Sequence, residues 1–363
     1  MRNILAALLL SAGLAQAGQI FTNSFEGAKQ PQVAVSADGV ICVVFGCSNA
    51  VYFVRSNDRG QTFLLPHLVT ASSQMPLGMR RGPRIAIAGD DVVVTAVDHR
   101  DLICFTSPNM GLTWSEGNSI NDVAFSAREG LHALAASGKK VYAAWIDRRL
   151  KKAELWGAIS NDGGKTWGRN KRIYQSPDGH ICECCAPNVV FTPDGKIVVM
   201  WRNWLKKNRD LYWAISSDNG ETFSAAVKLG SSSWSLDACP MDGGGLAVGP
   251  DGKPVSVWRS KEKILTAKGH GGEKTISRHG TQPAVAVGGK DLYYVWLEGT
   301  NLMTAISTPS GLKALRLLAQ NAAYPAIAPM LRRLPVVVWE SNSGLWVEQL
   351  TGPPMAKLAK PAH

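Results

Sequence analysis

The residues with most chemistry to offer stand in one short run, His180-Ile181-Cys182-Glu183-Cys184-Cys185. Three thiols and an imidazole this close together supply soft donors of the kind that hold copper(I) or zinc. Cys239, in the later segment Ser235-Leu236-Asp237-Ala238-Cys239-Pro240-Met241-Asp242, extends the donor set, and His99 and His132 are further loop imidazoles. The spacing C-x-C-C is not that of a standard zinc knuckle, and adjacent cysteines are awkward ligands for one tetrahedral ion. Two other readings of these residues stay open. Cys182 or Cys185 paired with Cys239, and Cys184 with Cys47, would make disulfides; a reactive thiol would make a redox site. With seven cysteines in the chain, a closed disulfide set cannot be formed.

The elements that position these residues follow from the rest of the chain. Its 363 residues are 45% hydrophobic and 18% charged, with 36 Gly and 19 Pro. That composition excludes a disordered chain and argues against a helical bundle. Residues 1–17 read as an export signal: Arg2, an apolar stretch from Ile4 to Leu14, and a small-x-small cleavage site ending at Ala17. Cleavage there lowers the formal charge from +11 to +10 and implies a periplasmic or secreted protein, in a compartment where disulfides are permitted. No later segment is apolar for the ~18 residues that a membrane span needs, so none is expected. The chain reads as a monomer, with 18–351 as one domain and 352–363 as a tail.

A repeated unit organises that domain. A strand of the form P-x-φ-A-φ, a turn and a β-rich run ending in an aromatic residue begin at Pro31, Pro83, Leu131, Pro187, Gly244, Pro283 and Pro325. Asp-Gly and Gly-Lys pairs in the turns are hairpin chemistry. A third alternating strand follows each hairpin, as in Val51-Tyr52-Phe53-Val54-Arg55-Ser56. Four strands every 40–55 residues predict an all-β propeller of about seven units. The last unit lacks a fourth strand, and the exported N-terminus, Gln19 to Phe25, is expected to supply it. A two-sheet sandwich would explain the strands but not the period.

Four turns after the third strand share one pattern: SNDRGQTF at Ser56, SPNMGLTW at Ser107, SNDGGKTW at Ser160 and SSDNGETF at Ser216. Asp at the third position can hold the turn through backbone N–H groups, and Asn109 is expected to make the same local bonds without the charge. The closing Phe or Trp is expected to wedge between sheets. The pattern resembles the Asp boxes of the sialidase-like propellers. The resemblance implies a propeller, with six blades as the alternative typical of that family, and places the boxes opposite the working face. GHICECCAPN and SLDACPMDGG are also similar to a subgroup of exported bacterial sialidase-like propellers.

Propeller topology then gathers the loops between strands two and three and between units on one face. Cys47, Cys182, Cys184, Cys185 and Cys239 fall there, with His99, His132, His180 and His279, while Cys42 and Cys104 sit inside strands. An enzyme of the resembled family needs arginines that clamp a substrate carboxylate, a Tyr–Glu nucleophile pair and an Asp acid. Arg84, Arg202 and Arg259, Tyr324 with Glu340, and Asp147 are the residues here that could fill those roles. The basic loops at Lys151, Lys152, Lys206, Lys207 and Arg209 favour a small acidic glycan over nucleic acid, or form a solubilising rim. The expectation is therefore an exported propeller that binds a ligand or a soft metal. The alternatives are an exo-sialidase-type glycoside hydrolase and a protein-interaction scaffold.

Overall fold

The computed structural model describes residues 18–20, 25, 27–72 and 74–352; the expected signal at 1–17 and most of the tail lie outside them. Among the described residues the chain is all β, with seven four-stranded antiparallel sheets. Blade 1 runs over residues 29–71, blade 2 over 84–119, blade 3 over 132–174 and blade 4 over 188–228. Blades 5, 6 and 7 follow over 245–277, 281–319 and 322–349. Seven blades, not six, is the count. No described helix is long and apolar enough to cross a membrane.

The pattern of each strand follows from its place in the blade. The second strands, such as Ile41–Cys47 and Ile197–Arg202, are almost fully buried because neighbouring blades cover both faces. A strand buried on both faces reads as a continuous apolar run rather than an alternation. Trp145, Trp201, Trp258, Trp296 and Trp339 close five of these strands and are 3% exposed or less. First strands pack against first strands around the axis, so their N-terminal ends line a common mouth.

Ring closure uses Gly18–Gln19, which pairs antiparallel with the last strand of blade 7 as Gly18 to Val347 and Gln19 to Trp346. The donated strand is therefore the start of the expected segment; residues 21–24 and 26 lie outside the description.

The four patterned turns hold themselves by one device. In the first, the Gly60 amide donates to Ser56 Oγ at 2.7 Å, the Thr62 amide to Asp58 Oδ1 at 2.9 Å, and the Thr62 hydroxyl to Asp58 Oδ2 at 2.5 Å. Such bonds hold Asp58 and Asp218 down at about 2, and against the burial that raises Asp162 they bring it to about 2 as well. Asn109 departs from the expectation that it makes the same bonds. Its Oδ1 accepts the Thr113 amide, but its Nδ2 donates to Thr113 Oγ1 at 2.8 Å, reversing the side-chain bond. The wedge role is seen in space: Trp114 lies edge-on to Phe53 of blade 1, and Phe223 lies 6.1 Å from Tyr142 of blade 3.

Candidate functional site

The sulfur run falls in the connection between blades 3 and 4. A bridge from Ile181 to Asn203 and a bond from the Cys182 amide to the Arg202 carbonyl, 3.1 Å, staple it to the end of blade 4's second strand. A further bridge, Asn208 to Ser235, ties the 203–210 loop to the segment that carries Cys239. Gly243 then passes so close to the first loop that a Cβ there would stand 2.0 Å from the Ala186 carbonyl oxygen. The Gly-rich run after Asp242 is thus a close backbone approach.

Cys182, Cys184 and Cys185 are buried and converge. Their sulfurs lie 3.5 Å (182 to 184), 3.4 Å (182 to 185) and 3.9 Å (184 to 185) apart. A disulfide needs about 2.05 Å, so no two of these three are bonded to each other. A metal at ~2.3 Å from tetrahedrally placed sulfurs spaces them about 3.8 Å apart, close to what is observed. The Asp242 amide also donates to Cys185 Sγ at 3.3 Å. Hydrogen bonding with Cys184 and Cys185, aided by the charges of Arg202 and Arg209, holds the Cys182 thiol well below its ordinary value. Its bond with Cys182 pushes Cys184 up to about 12, and burial pushes Cys185 well above the usual range.

Arg202 is the keystone of this region. It is 1% exposed. Its guanidinium donates to the carbonyls of Asp242 (2.8 Å), Arg209 (2.5 Å) and Arg259 (2.9 Å), and no described carboxylate pairs with it within 4.0 Å. Arg209 is also buried, 4.6 Å over the Trp204 ring, so it does not belong to an exposed basic rim.

The remaining expected donors are arranged otherwise. Cys239 is exposed and free, and it is not among the three sulfurs that converge. His180 turns its Nδ1 to the Ala153 amide (3.3 Å) and to Glu183 (3.2 Å), whose other oxygen is taken by Arg148. His132 opens blade 3's first strand and points into blade 2, 3.0 Å from Thr95 Oγ1; burial and the nearby Arg84 charge lower it to about 3. His99 sits on an exposed turn beside Asp98. Cys47 ends a strand of blade 1 and packs at the core shared with blade 7. Cys42 and Cys104 are buried in strands, and burial pushes both thiols up to about 12. The trio is the one group of three His, Cys or acidic side chains with metal-ligand spacing among the described residues.

The residues suited to a glycosidase are not brought together. Arg84 donates to the carbonyls of Arg80, Gly82 and Pro83, and Arg259 to that of Lys261. Asp147 is 1% exposed and fully engaged by Trp145 Nε1 and by the Arg149 amide and guanidinium. Tyr324 lines the mouth on the axis, while Glu340 lines a separate cleft of about 570 Å³ with Phe25 and Lys29. Glu340 accepts the Gln30 amide at 2.8 Å, and burial raises its carboxyl.

Sequence reasoning named Arg84 and Tyr324, which line the mouth, but missed the backbone that shapes it. Gln30, Gln282 and Tyr324 take left-handed φ values of 57°, 53° and 48°, each where the first strand of blade 1, 6 or 7 carries a register shift. Non-glycine residues held there cost of order 1 kcal/mol and persist where surroundings impose them. The Gln282 amide donates to buried Asp242 at 2.7 Å, and the Tyr324 amide to Gln282 Oε1 at 3.0 Å. Each of the three residues precedes the proline of its P-x-φ-A-φ strand, which is the signal that could have found them.

No family model and no curated protein matches the chain by sequence. Solved structures are similar to it. A virginiamycin B lyase from Staphylococcus aureus aligns over 93% of this chain and 99% of its own, at 11% identity and a TM-score of 0.60. An α-L-arabinanase from Penicillium chrysogenum aligns over 92% and 97%, at 16% identity and 0.53. A leech intramolecular trans-sialidase aligns over 92% of this chain and 69% of its own, at 11% identity and 0.54. At such identity the likeness is one of fold, and fold does not carry chemistry.

Proposed function

We propose that this chain is an exported β-propeller that binds a soft metal ion, copper(I) or zinc, through Cys182, Cys184 and Cys185. The observation that carries the reading is the convergence of three buried sulfurs at 3.4–3.9 Å without a bond between them. Thiolate donors select soft ions, and bound thiolates carry negative charge that the buried guanidinium groups of Arg202 and Arg209 offset. Cys239 is the available fourth donor from the solvent side; His180, His99 and His132 are not needed. The glycosidase reading has the fold behind it, but Tyr324 and Glu340 line different cavities.

The test is an anaerobic titration of reduced protein with copper(I) and with zinc, each against a competing chelator. The reading expects one ion per chain, and at least 100-fold weaker binding in each of Cys182→Ser, Cys184→Ser and Cys185→Ser. Stoichiometric binding that survives all three substitutions, or no binding by the wild type, sinks it.

A further inference from the structure

A second cavity lies on the propeller axis, of about 80 Å³, lined by Gln30, Gln32, Arg80, Arg84, Asn188 and Tyr324 among others. It has the room of a few waters, too little for a sugar ring. What distinguishes it is a set of buried donors with nothing to donate to. Arg80 Nε and Nη2 have no hydrogen-bond partner, and neither does Gln30 Nε2 on a side chain 3% exposed. Nε and Nη2 share one edge of the guanidinium, so their N–H bonds run parallel. That edge is the fork which receives two oxygens of one oxyanion.

The surroundings fix the fork in place. Arg84 spends its guanidinium on the carbonyls of Arg80, Gly82 and Pro83, bracing the loop from which Arg80 projects. Met79 and Arg80 hold left-handed φ values of 50° and 65°, strain of the sort that accompanies a functional constraint. Gly82 allows Gln30 to lie against the loop, since a Cβ there would stand 2.2 Å from Gln30 Cβ. No described carboxylate pairs with Arg80 or Arg84 within 4.0 Å, and none lines the cavity. Glu340 and Asp242 accept the backbone amides of Gln30 and Gln282 instead.

We infer that this axial cavity is a binding site for a small oxyanion group, held side-on by the Arg80 fork and by the Gln30 amide. It differs from a clamp of three guanidinium groups, because Arg202 and Arg259 are tied to backbone carbonyls elsewhere. The shared chemistry is two oxygens on one centre, offered by a free phosphate or sulfate or by the carboxylate end of a larger molecule. The site does not depend on a metal at the sulfur cluster.

The experiment is calorimetric titration of the full chain with inorganic phosphate, sulfate and acetate at fixed ionic strength. Thermal melts confirm that each variant is folded. Saturable binding of one anion per chain is expected. Tight tetrahedral anions with weak acetate identify a free oxyanion as the occupant, and the reverse order identifies a carboxylate terminus. Arg80→Lys keeps the charge but not the parallel N–H pair and is expected to weaken binding about tenfold or more. Gln30→Met should weaken it severalfold, while Lys207→Gln on an exposed loop leaves it unchanged. The inference is overturned if no anion gives saturable heat, which leaves water alone in the cavity. It is equally overturned if Arg80→Lys binds as the wild type does.

Discussion

Replacing Arg202 tests how the sulfur cluster is held. Its guanidinium makes three bonds to carbonyls at 2.5–2.9 Å, from a position 1% exposed. Hydrogen bonds to a charged group contribute about 1.5–3 kcal/mol each, and part of the gross sum is returned when the charge no longer needs desolvation. Arg202→Met keeps most of the volume and leaves the carbonyls of Asp242, Arg209 and Arg259 without that donor. The expected loss is about 3–5 kcal/mol, read as a shift in the urea midpoint at unchanged m-value. Arg202→Lys should recover part of it, because an ammonium cannot span three fixed acceptors. Metal affinity should fall about 10–100-fold in the Met variant, since the Asp242 carbonyl anchors the residue whose amide holds Cys185 Sγ. A Met variant within about 1 kcal/mol of wild type would refute the keystone role.

Gly243→Ala drives a Cβ to 2.0 Å from a backbone oxygen and should cost ~2 kcal/mol or more while weakening metal binding, whereas Gly272→Ala, with nothing within 4 Å, should do neither; denaturant melts and titrations check both. Cys104→Ala should leave metal stoichiometry unchanged, because its thiol is buried in a blade, 3.4 Å from the Gly164 carbonyl, and apart from the trio. The turn carboxylates Asp58, Asp162 and Asp218 are lowered from 3.8 to about 2, so their contribution is present above pH ~4 and is lost as pH falls through about 2. Urea midpoints measured from pH 5 to pH 2 should therefore drop less in the triple Asp→Asn protein than in the wild type. Tyr142→Phe removes a buried hydroxyl that has no partner and is expected to be neutral or to stabilise by about 1 kcal/mol.

The blades were legible because they repeat. Seven copies of one hairpin pattern fix the strand count and leave blade 7 short of a partner, which Gly18–Gln19 supplies. The cysteine run was legible for a different reason: residues three positions apart on one loop stay near each other whatever the loop does. What escaped was everything set by backbone approach across blades. His132 and Cys47 share a face with the trio by topology, yet their side chains pack into blade 2 and at the junction of blades 1 and 7. Topology assigns a residue to an end of the molecule, and side-chain direction then depends on strand phase. Arg202 ends a strand in the sequence pattern of a solvated arginine, and only the convergence of three loop carbonyls explains its burial. Arg80 carries no motif at all, and Gln30 only its place before a strand-opening proline; their role rests on donors left unpaired by the packing around them.

X-ray absorption at the copper or zinc edge, on protein loaded anaerobically with one ion per chain, reads the ligands of the bound ion. The expected result is a shell of three or four sulfur neighbours at about 2.3 Å. In Cys182→Ser that shell should lose a sulfur. A shell of nitrogen and oxygen alone, or peptide mapping that finds Cys182 and Cys185 joined in a disulfide in the protein as isolated, would contradict it.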